Sequence, residues 1–328
     1  MDKKTVDVSI VVSTWRRHEI LKMVLQALLN QSHANDIAYE ILVVDSYSGL
    51  ETMTVIDEVS SEKVRYLNIL ENSISSKRNF GINNSFGKYI AFLDDDCVPE
   101  AEWLRNFFSF AEEHANEKVL LCGGVYFDED LVARSNYYRY RNGRHFKSNK
   151  GTVLSYKNIV TMNMFVRRDL LLDEGVYFDD SFKGYGYEDI DFGLQLSNKG
   201  IGLITCDSDI LHLELKGSLR KFCKKFYHCS KDGMRVFYGK NKIDASLGET
   251  SLLESESASI KIRVMLGVLD SYIPKLVLKF CELTDGLSYC YVENFYKLVL
   301  AAAYRDGKRD RYKNILNTSS VNKTGWYD

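Results

Sequence analysis

Proline is almost missing from this sequence. Only Pro99 and Pro274 occur in 328 residues, which excludes proline-rich linkers and favours long regular elements. Paired cysteines are missing too. The seven cysteines are odd in number and none forms a CxxC pair, which argues against structural zinc and against a disulfide framework. No run of about 18 uncharged apolar residues is present, so no spanning helix is expected. The apolar stretch Val8–Val12 near the start is too short for a secretory h-region. A reduced, cytoplasmic setting is therefore the expectation. Net charge is also scarce: the formal value is −2, so the whole chain is no electrostatic magnet for nucleic acid. Several catalytic signatures are absent as well. There is no GxxxxGK(S/T) phosphate loop, no GxGxxG after the first strand, no HExxH and no GxSxG.

What is present is a globular composition, 45% apolar and 27% charged, long enough for one large domain or two smaller ones. The first half alternates apolar runs with helical patterns. "VSIVVST", "YEILVVDS", "VRYLNI" and "YIAFLD" read as strands, and "RHEILKMVLQALLNQ" as a helix with Ile20, Val24, Leu25, Leu28 and Leu29 on one face. "SISSKRNFGINNSFG" reads as a helix closed by Gly87, and Pro99 suits the first turn of the helix "EAEWLRNFFSFAEEH". Strands apolar throughout and separated by helices predict a parallel sheet covered on both faces. "KVLLCGGVYFD", "NIVTMNMFV" and "IGLITCD" are further strands, and "RSNYYRYRNGRHFKSNKG" reads as a long loop of the kind used for lids or binding. A helix is expected from Glu188 to Gly200. From about residue 217 the pattern is helical, giving a soft boundary between 1–216 and 217–328.

In such sheets ligands gather at the carboxyl ends of strands, and two strands end in aspartate, Asp45 and Asp94. The second continues as Asp94-Asp95-Asp96. In an extended chain Asp94 and Asp96 share a side and Asp95 takes the other. Two carboxylates held together repel unless a cation lies between them, and a hard divalent ion with oxygen ligands meets that need. The plain alternative is a solvated acidic turn. A second acidic cluster, "GYGYEDIDFG", places Glu188 and Asp189 at a helix N-terminus. There they are either simple caps or, for one of them, a general base aimed at the cation site, with Asp191 facing elsewhere. His212 follows the last strand. It is either a core histidine or an imidazole ligand, and with two carboxylates it would suit Mn²⁺ at least as well as Mg²⁺.

Four stretches, "SIVVSTWRR", "ILVVDSYS", "SSKRNFGINNSFGKYIAFLDDDCVPEAEWL" and "FKGYGYEDIDFGLQLSNKG", occur in this order. Together they resemble the family 2 nucleotide-sugar glycosyltransferases, over roughly residues 7 to 214. The ED-containing stretch is most similar to bacterial capsule and polysaccharide enzymes. The resemblance implies an α/β, GT-A type, Rossmann-like and mostly parallel sheet flanked by helices, with a C-terminal helical extension. It implies an inverting, metal-dependent hexosyltransferase using Mn²⁺ or Mg²⁺ and a UDP-sugar donor. The acceptor would be a hydroxyl of a saccharide or lipid-linked molecule in polysaccharide or glycoconjugate synthesis.

The resemblance also assigns residues. Thr14 and Arg16 line the nucleotide pocket, Asp45 bonds the uracil, and Arg78 contacts base or phosphates. Asp94 and Asp96 form the DxD motif at ribose and metal, with Asp95 counted among the donor contacts and His212 as a third metal ligand. Gly123 and Gly124 pass close to the sugars. Asp189 is the base, with Glu188 binding acceptor or donor sugar. The sequence departs from the family pattern after Asp45, reading "VVDSYSG" where many members read "VVDDGS". Two other readings stand beside this one: a sugar-phosphate nucleotidyltransferase, and a non-catalytic sugar-binding relative.

The C-terminal part adds a basic segment. Residues 216–242 hold nine Lys or Arg against one acid, Asp232, and Leu219, Phe222 and Phe226 make an apolar stripe. Either this helix rests on an anionic membrane face or lipid-linked acceptor, or its stripe packs inward and the lysines are solvated. "IRVMLGVLDSYIPKLVLKF" and "YVENFYKLVLAAAY" read as amphipathic helices for core or homodimer contacts.

Overall fold

A computed structural model describes residues 6–47, 49–145, 149–241 and 260–316. The chain forms two compact units. The first comprises the chain up to Asp128, His145–Asp180 and Asp189–Glu214; the second comprises Glu129–Arg144, Ser181–Glu188 and the chain from Leu215 on.

The first unit is built on a nine-stranded sheet. Its opening strands β1 (Val8–Thr14) and β2 (Tyr39–Asp45) are buried at every position, as strands covered on both faces must be. Helix α1 (His18–Leu29) joins them, and α2 (Glu51–Val59) leads to β3 (Val64–Asn68). Helix α3 (Ile74–Asn84) precedes β4 (Tyr89–Asp94), and β5 (Cys97–Pro99) precedes α4 (Trp103–Glu113) and β6 (Val119–Tyr126). Two short helices, α5 (Glu129–Arg134) and α6 (Asn136–Asn142), belong to the second unit. The first unit resumes with β7 (Val153–Leu154), β8 (Asn163–Arg167), α7 (Arg168–Asp173), α8 (Glu188–Asn198, entered from the second unit) and β9 (Gly202–His212).

The strand order is β3-β2-β1-β4-β8-β6-β9-β5, with β7 on β9. β3, β2, β1 and β4 run parallel, β8 is antiparallel to β4 and β6, and β6 and β9 are parallel. Side chains alternate across the sheet. Val8, Ile10 and Val12 meet α1 and α4 through Leu21, Leu25, Trp103 and Phe107. Val11 packs in the opposite core with Ile82 of α3 and Phe192 of α8.

Three expectations about local structure are corrected. Pro99 does not open a helix: it closes β5, paired antiparallel with Ile210, and α4 begins at Trp103. The stretch read as a long loop contains α6, capped by Ser135, whose Oγ accepts the Tyr138 N–H. Tyr137, Tyr138 and Tyr140 of that helix are all buried, so no polar face produced a helical period. Phe146, Lys147 and Ser148 of that stretch lie outside the described residues.

The described part of the second unit is helical. α9 (Leu219–His228) runs through a π turn, Cys229–Gly233, into α10 (Met234–Asn241). α11 (Ile260–Leu269), α12 (Ile273–Leu283) and α13 (Glu293–Leu316) follow. The stretch expected as one helix across Pro274 is two, because Pro274 occupies the first turn of α12. Of the apolar stripe of α9, Leu219 and Phe222 are buried, Phe226 is half-buried, and Tyr227 is buried beside them. Lys221 and Lys224 are exposed. Lys242 lies outside the described residues.

Candidate active site

The sheet delivers its acidic side chains through one break in the chain. β4 ends at Asp94, a turn takes Asp95 and Asp96, and β5 begins at Cys97. Extended geometry therefore stops at Asp94, and the three aspartates do not share one set of partners. Asp94 Oδ1 accepts a charge-assisted bond from Arg78 Nη2 at 2.9 Å. Asp95 accepts from Thr14 Oγ1 at 2.7 Å and from Arg17 Nη1 at 2.9 Å. Asp96 accepts from the same Arg17 nitrogen and faces His212 Nε2 at 3.5 Å.

His212 reaches Asp96 because β5 pairs antiparallel with β9, setting Cys97 opposite His212. The Leu213 N–H donates to Asp96 O at 2.7 Å and locks the turn to the strand end. Among the described residues, the group close enough to share a metal ion is Asp96, Cys97 and His212. Asp94 stands apart from it on Arg78. The Cys97 thiol is pushed well above its ordinary range by burial and then by the three aspartates. A hard cation prefers oxygen and imidazole donors to sulfur, so of these three it would rest on Asp96 and His212. Their 3.5 Å separation is too long for a good hydrogen bond. It is close to that of two ligands sharing one ion, which at roughly 2.1 Å from the metal and at right angles stand about 3 Å apart.

Charge is graded along the turn. Burial, only partly offset by Arg17, raises the Asp95 pKa to about 6. Burial also opposes ionisation of Asp96, but the nearby His212, followed by Arg17, wins and holds it at about 2. Arg78 is 4% exposed, and its Nη1 has no hydrogen-bond partner. A buried guanidinium N–H left open is costly and is suited to an incoming anion. Arg78 is fixed by its pair with Asp94 and by lying 5.1 Å over the Phe178 ring.

Asp189 follows Glu188 at the start of α8, and its Oδ1 accepts the Ile190 N–H at 2.8 Å. Burial pushes its pKa up, against the Ile190 N–H and the Arg78 charge, while Asp94 adds to the rise. Asp189 thus lies in the electrostatic field of the Arg78–Asp94 pair. Asp191 is fully buried and accepts from Gln195. Glu188 belongs to the second unit.

Asp45 is also fully buried. Its carboxylate accepts from Thr52 Oγ1 at 2.6 Å and the Tyr47 N–H at 2.9 Å, so it shapes the turn after β2. Arg16 is exposed, in the left-handed region at φ 55°, with its guanidinium about 5 Å from the Trp15 and Tyr47 rings. Gly123 and Gly124 form a bulge between β6 and β9. A Cβ on Gly123 would lie 1.9 Å from Ser208 O, and Gly124 N donates to Asp209.

Sequence reasoning missed three residues. Arg17 bridges Asp95 and Asp96. Buried Lys77 donates to Thr14 O at 2.8 Å and Asn72 Oδ1 at 2.9 Å. Asn163 accepts from Trp103 Nε1 and donates to Gly124 O and Ser208 O, all within 2.9 Å. A lysine inside the apparently polar α3 was a visible signal; the roles of Arg17 and Asn163 depend on pairing that no local pattern carries.

Residues 9–173 match the family profile described as glycosyl transferase family 2. A glycosyltransferase of Haloferax volcanii, AglE, is 25% identical over 237 residues, covering 70% of this chain and 74% of that protein. Chondroitin synthase of Pasteurella multocida is 21% identical over 84% of this chain, which spans 30% of that longer protein. Among solved structures, S. aureus TarS aligns at TM-score 0.52 with 15% identity, over 93% of this chain and 55% of that one. Its 1–349 fragment in complex with UDP-GlcNAc aligns at TM-score 0.51 with 14% identity, over 94% and 92%.

Proposed function

Because this chain belongs to glycosyl transferase family 2 and is a transferase, we propose that it moves a hexose from a UDP-sugar to a hydroxyl of a saccharide or lipid-linked acceptor. Inversion at the anomeric carbon and dependence on a divalent cation are part of the same proposal. One observation carries it: Arg78 bonds Asp94 at the carboxyl end of β4, and two residues further on Asp96 faces His212.

Asp96 and His212 would hold Mn²⁺ or Mg²⁺; imidazole suits Mn²⁺ better. When bound, the cation supplies neutralisation of the diphosphate leaving group. The chain's own residues do the rest. Arg78, with Nη1 open, binds diphosphate oxygens and is held rigid by Asp94, so it needs no reorganisation as charge grows. Arg16 and Tyr47 offer a cationic and aromatic rim for the base. Thr14 steers Asp95. Asp45 reaches the uracil by exchanging its Tyr47 N–H bond, and Gly124 lies on the sugar side. Asp189 takes the proton from the acceptor hydroxyl. Its raised pKa makes that transfer more favourable, and Glu188 binds a sugar hydroxyl. A single in-line displacement then gives inversion.

No described helix is long and apolar enough to cross a membrane. The exposed lysines of α9 are proposed to let the chain rest on an anionic cytoplasmic membrane face, which pelleting with vesicles tests. A homodimer is proposed through the C-terminal helices.

The deciding experiment incubates the chain with UDP-hexoses, with and without Mn²⁺ and EDTA. Free UDP from the sugar donor, lost with EDTA, is expected. Pyrophosphate from UTP and a sugar phosphate would instead identify a nucleotidyltransferase, and no turnover of either would leave a sugar-binding relative.

A further inference from the structure

The second unit holds a cleft of about 360 Å³ that no part of the donor site uses. Its wall comes from two segments of that unit. One is the loop Ser181–Gly184, which runs into Glu188 and α8. The other is the π turn Cys229–Gly233 with the first turn of α10. Three cationic side chains line it, Lys183, Lys231 and Arg235, against one carboxylate, Asp232. That carboxylate lies 3.3 Å from His228 Nδ1, and one carboxylate does not balance three cations.

The cleft is a built feature. A Cβ on Gly233 would fall 2.0 Å from Gly186 O, and one on Gly186, at φ +89°, would fall 2.6 Å from Cys229 Sγ. Only glycine permits this approach, which presses the loop onto the helix. The helix widens into a π turn at the point of contact, and such turns concentrate at functional sites. The volume is that of a small-ligand pocket, larger than a bare carboxylate requires.

We propose that this cleft binds a phosphate group carried by the acceptor. Two ammonium groups and a guanidinium, from two separate segments, suit the several oxygens of a tetrahedral anion better than the two of a planar carboxylate. Lys183 precedes Asp189 by six residues in the sequence. The inference rests on the transferase reading and deepens it, by naming the acceptor as phosphate-bearing.

The test uses the full chain saturated with UDP, which fills the donor site, and follows inorganic phosphate and then glycerol 3-phosphate by calorimetry. Saturable binding is expected, weakened about tenfold or more in Lys231→Ala/Arg235→Ala and restored in part by Lys231→Arg/Arg235→Lys. Melting curves verify that the variants are folded. A chain that binds UDP but no phosphate overturns the cleft while the transferase reading stands. One that binds phosphate but no UDP supports the cleft and overturns the transferase reading. Equal affinity in the double alanine variant, or equal affinity for glucuronate and phosphate, overturns the assignment. Pelleting with phosphatidylglycerol vesicles distinguishes the sources. Retention on vesicles without binding of glycerol 3-phosphate assigns a lipid headgroup and overturns the acceptor role; binding of the soluble phosphate without pelleting supports it.

Discussion

Arg17 occupies, in the free protein, the side of Asp96 that a metal would use, and replacing it with glutamine makes that competition measurable. Its Nη1 touches Asp95 at 2.9 Å and also bonds Asp96. A unit pair at 4 Å is worth about 4 kcal/mol at an effective dielectric of 20. The Arg17 side chain is 46% exposed, however, and exposed pairs return about 1 kcal/mol or less once solvent and entropy are counted. Removing the competitor should therefore tighten Mn²⁺ binding to the free chain by roughly fivefold, since about 1.4 kcal/mol is tenfold. Glutamine still offers an N–H to Asp95, so the buried carboxylate keeps a donor. The assay is titration of Mn²⁺ followed by electron paramagnetic resonance of the free ion, without nucleotide, on wild type, Arg17→Gln and Arg17→Lys. The lysine variant should resemble wild type, because it keeps the charge. Identical Mn²⁺ affinity in all three would refute the idea that Arg17 holds the cation's place.

Three further outcomes follow from the same geometry. Asp96→Ala should remove the Mn²⁺-dependent part of UDP binding, and unchanged calorimetric affinity would count against its role as ligand. Asp189→Asn should keep UDP binding and lose transfer by about 10²- to 10⁴-fold. It should also melt higher at pH 7. Burial raises the folded pKa of Asp189 above its unfolded value of about 3.9, so the native state holds the extra proton and this contribution to stability is lost as pH rises through the folded pKa. The gain in melting temperature should shrink toward pH 4; a variant that melts no higher than wild type at pH 7 contradicts the burial argument. Asn163→Ala strips partners from the Trp103 N–H and two buried carbonyls. It should cost at least about 2 kcal/mol in urea unfolding, and a loss under 0.5 kcal/mol, roughly the level of a surface change, would show that water replaces it.

What the sequence determined by itself is the set of local elements with a period. β1 and β2 carry unbroken apolar runs, Ile10–Val12 and Ile41–Val44, so they had to be covered on both faces, and that announced a sheet with helices on each side. α8 starts at Glu188 and ends before Gly200, at φ +69°, because capping chemistry is written in neighbouring residues. The candidate aspartates were legible for the same reason: they stand where apolar runs stop. Tertiary structure decided which of them meet. The turn at Asp95–Asp96 breaks the two-residue alternation, so Asp94 goes to Arg78, while Asp95 and Asp96 share Arg17. The β5–β9 pairing, between residues more than a hundred positions apart, brings His212 and Cys97 to Asp96. Nor could a pattern within one segment show that Gly186 meets Gly233, or that Lys183 joins Lys231 and Arg235 around one cleft. Periodicity is set by bonds within a few residues, whereas a site is set by which distant segments can bury their surfaces against each other.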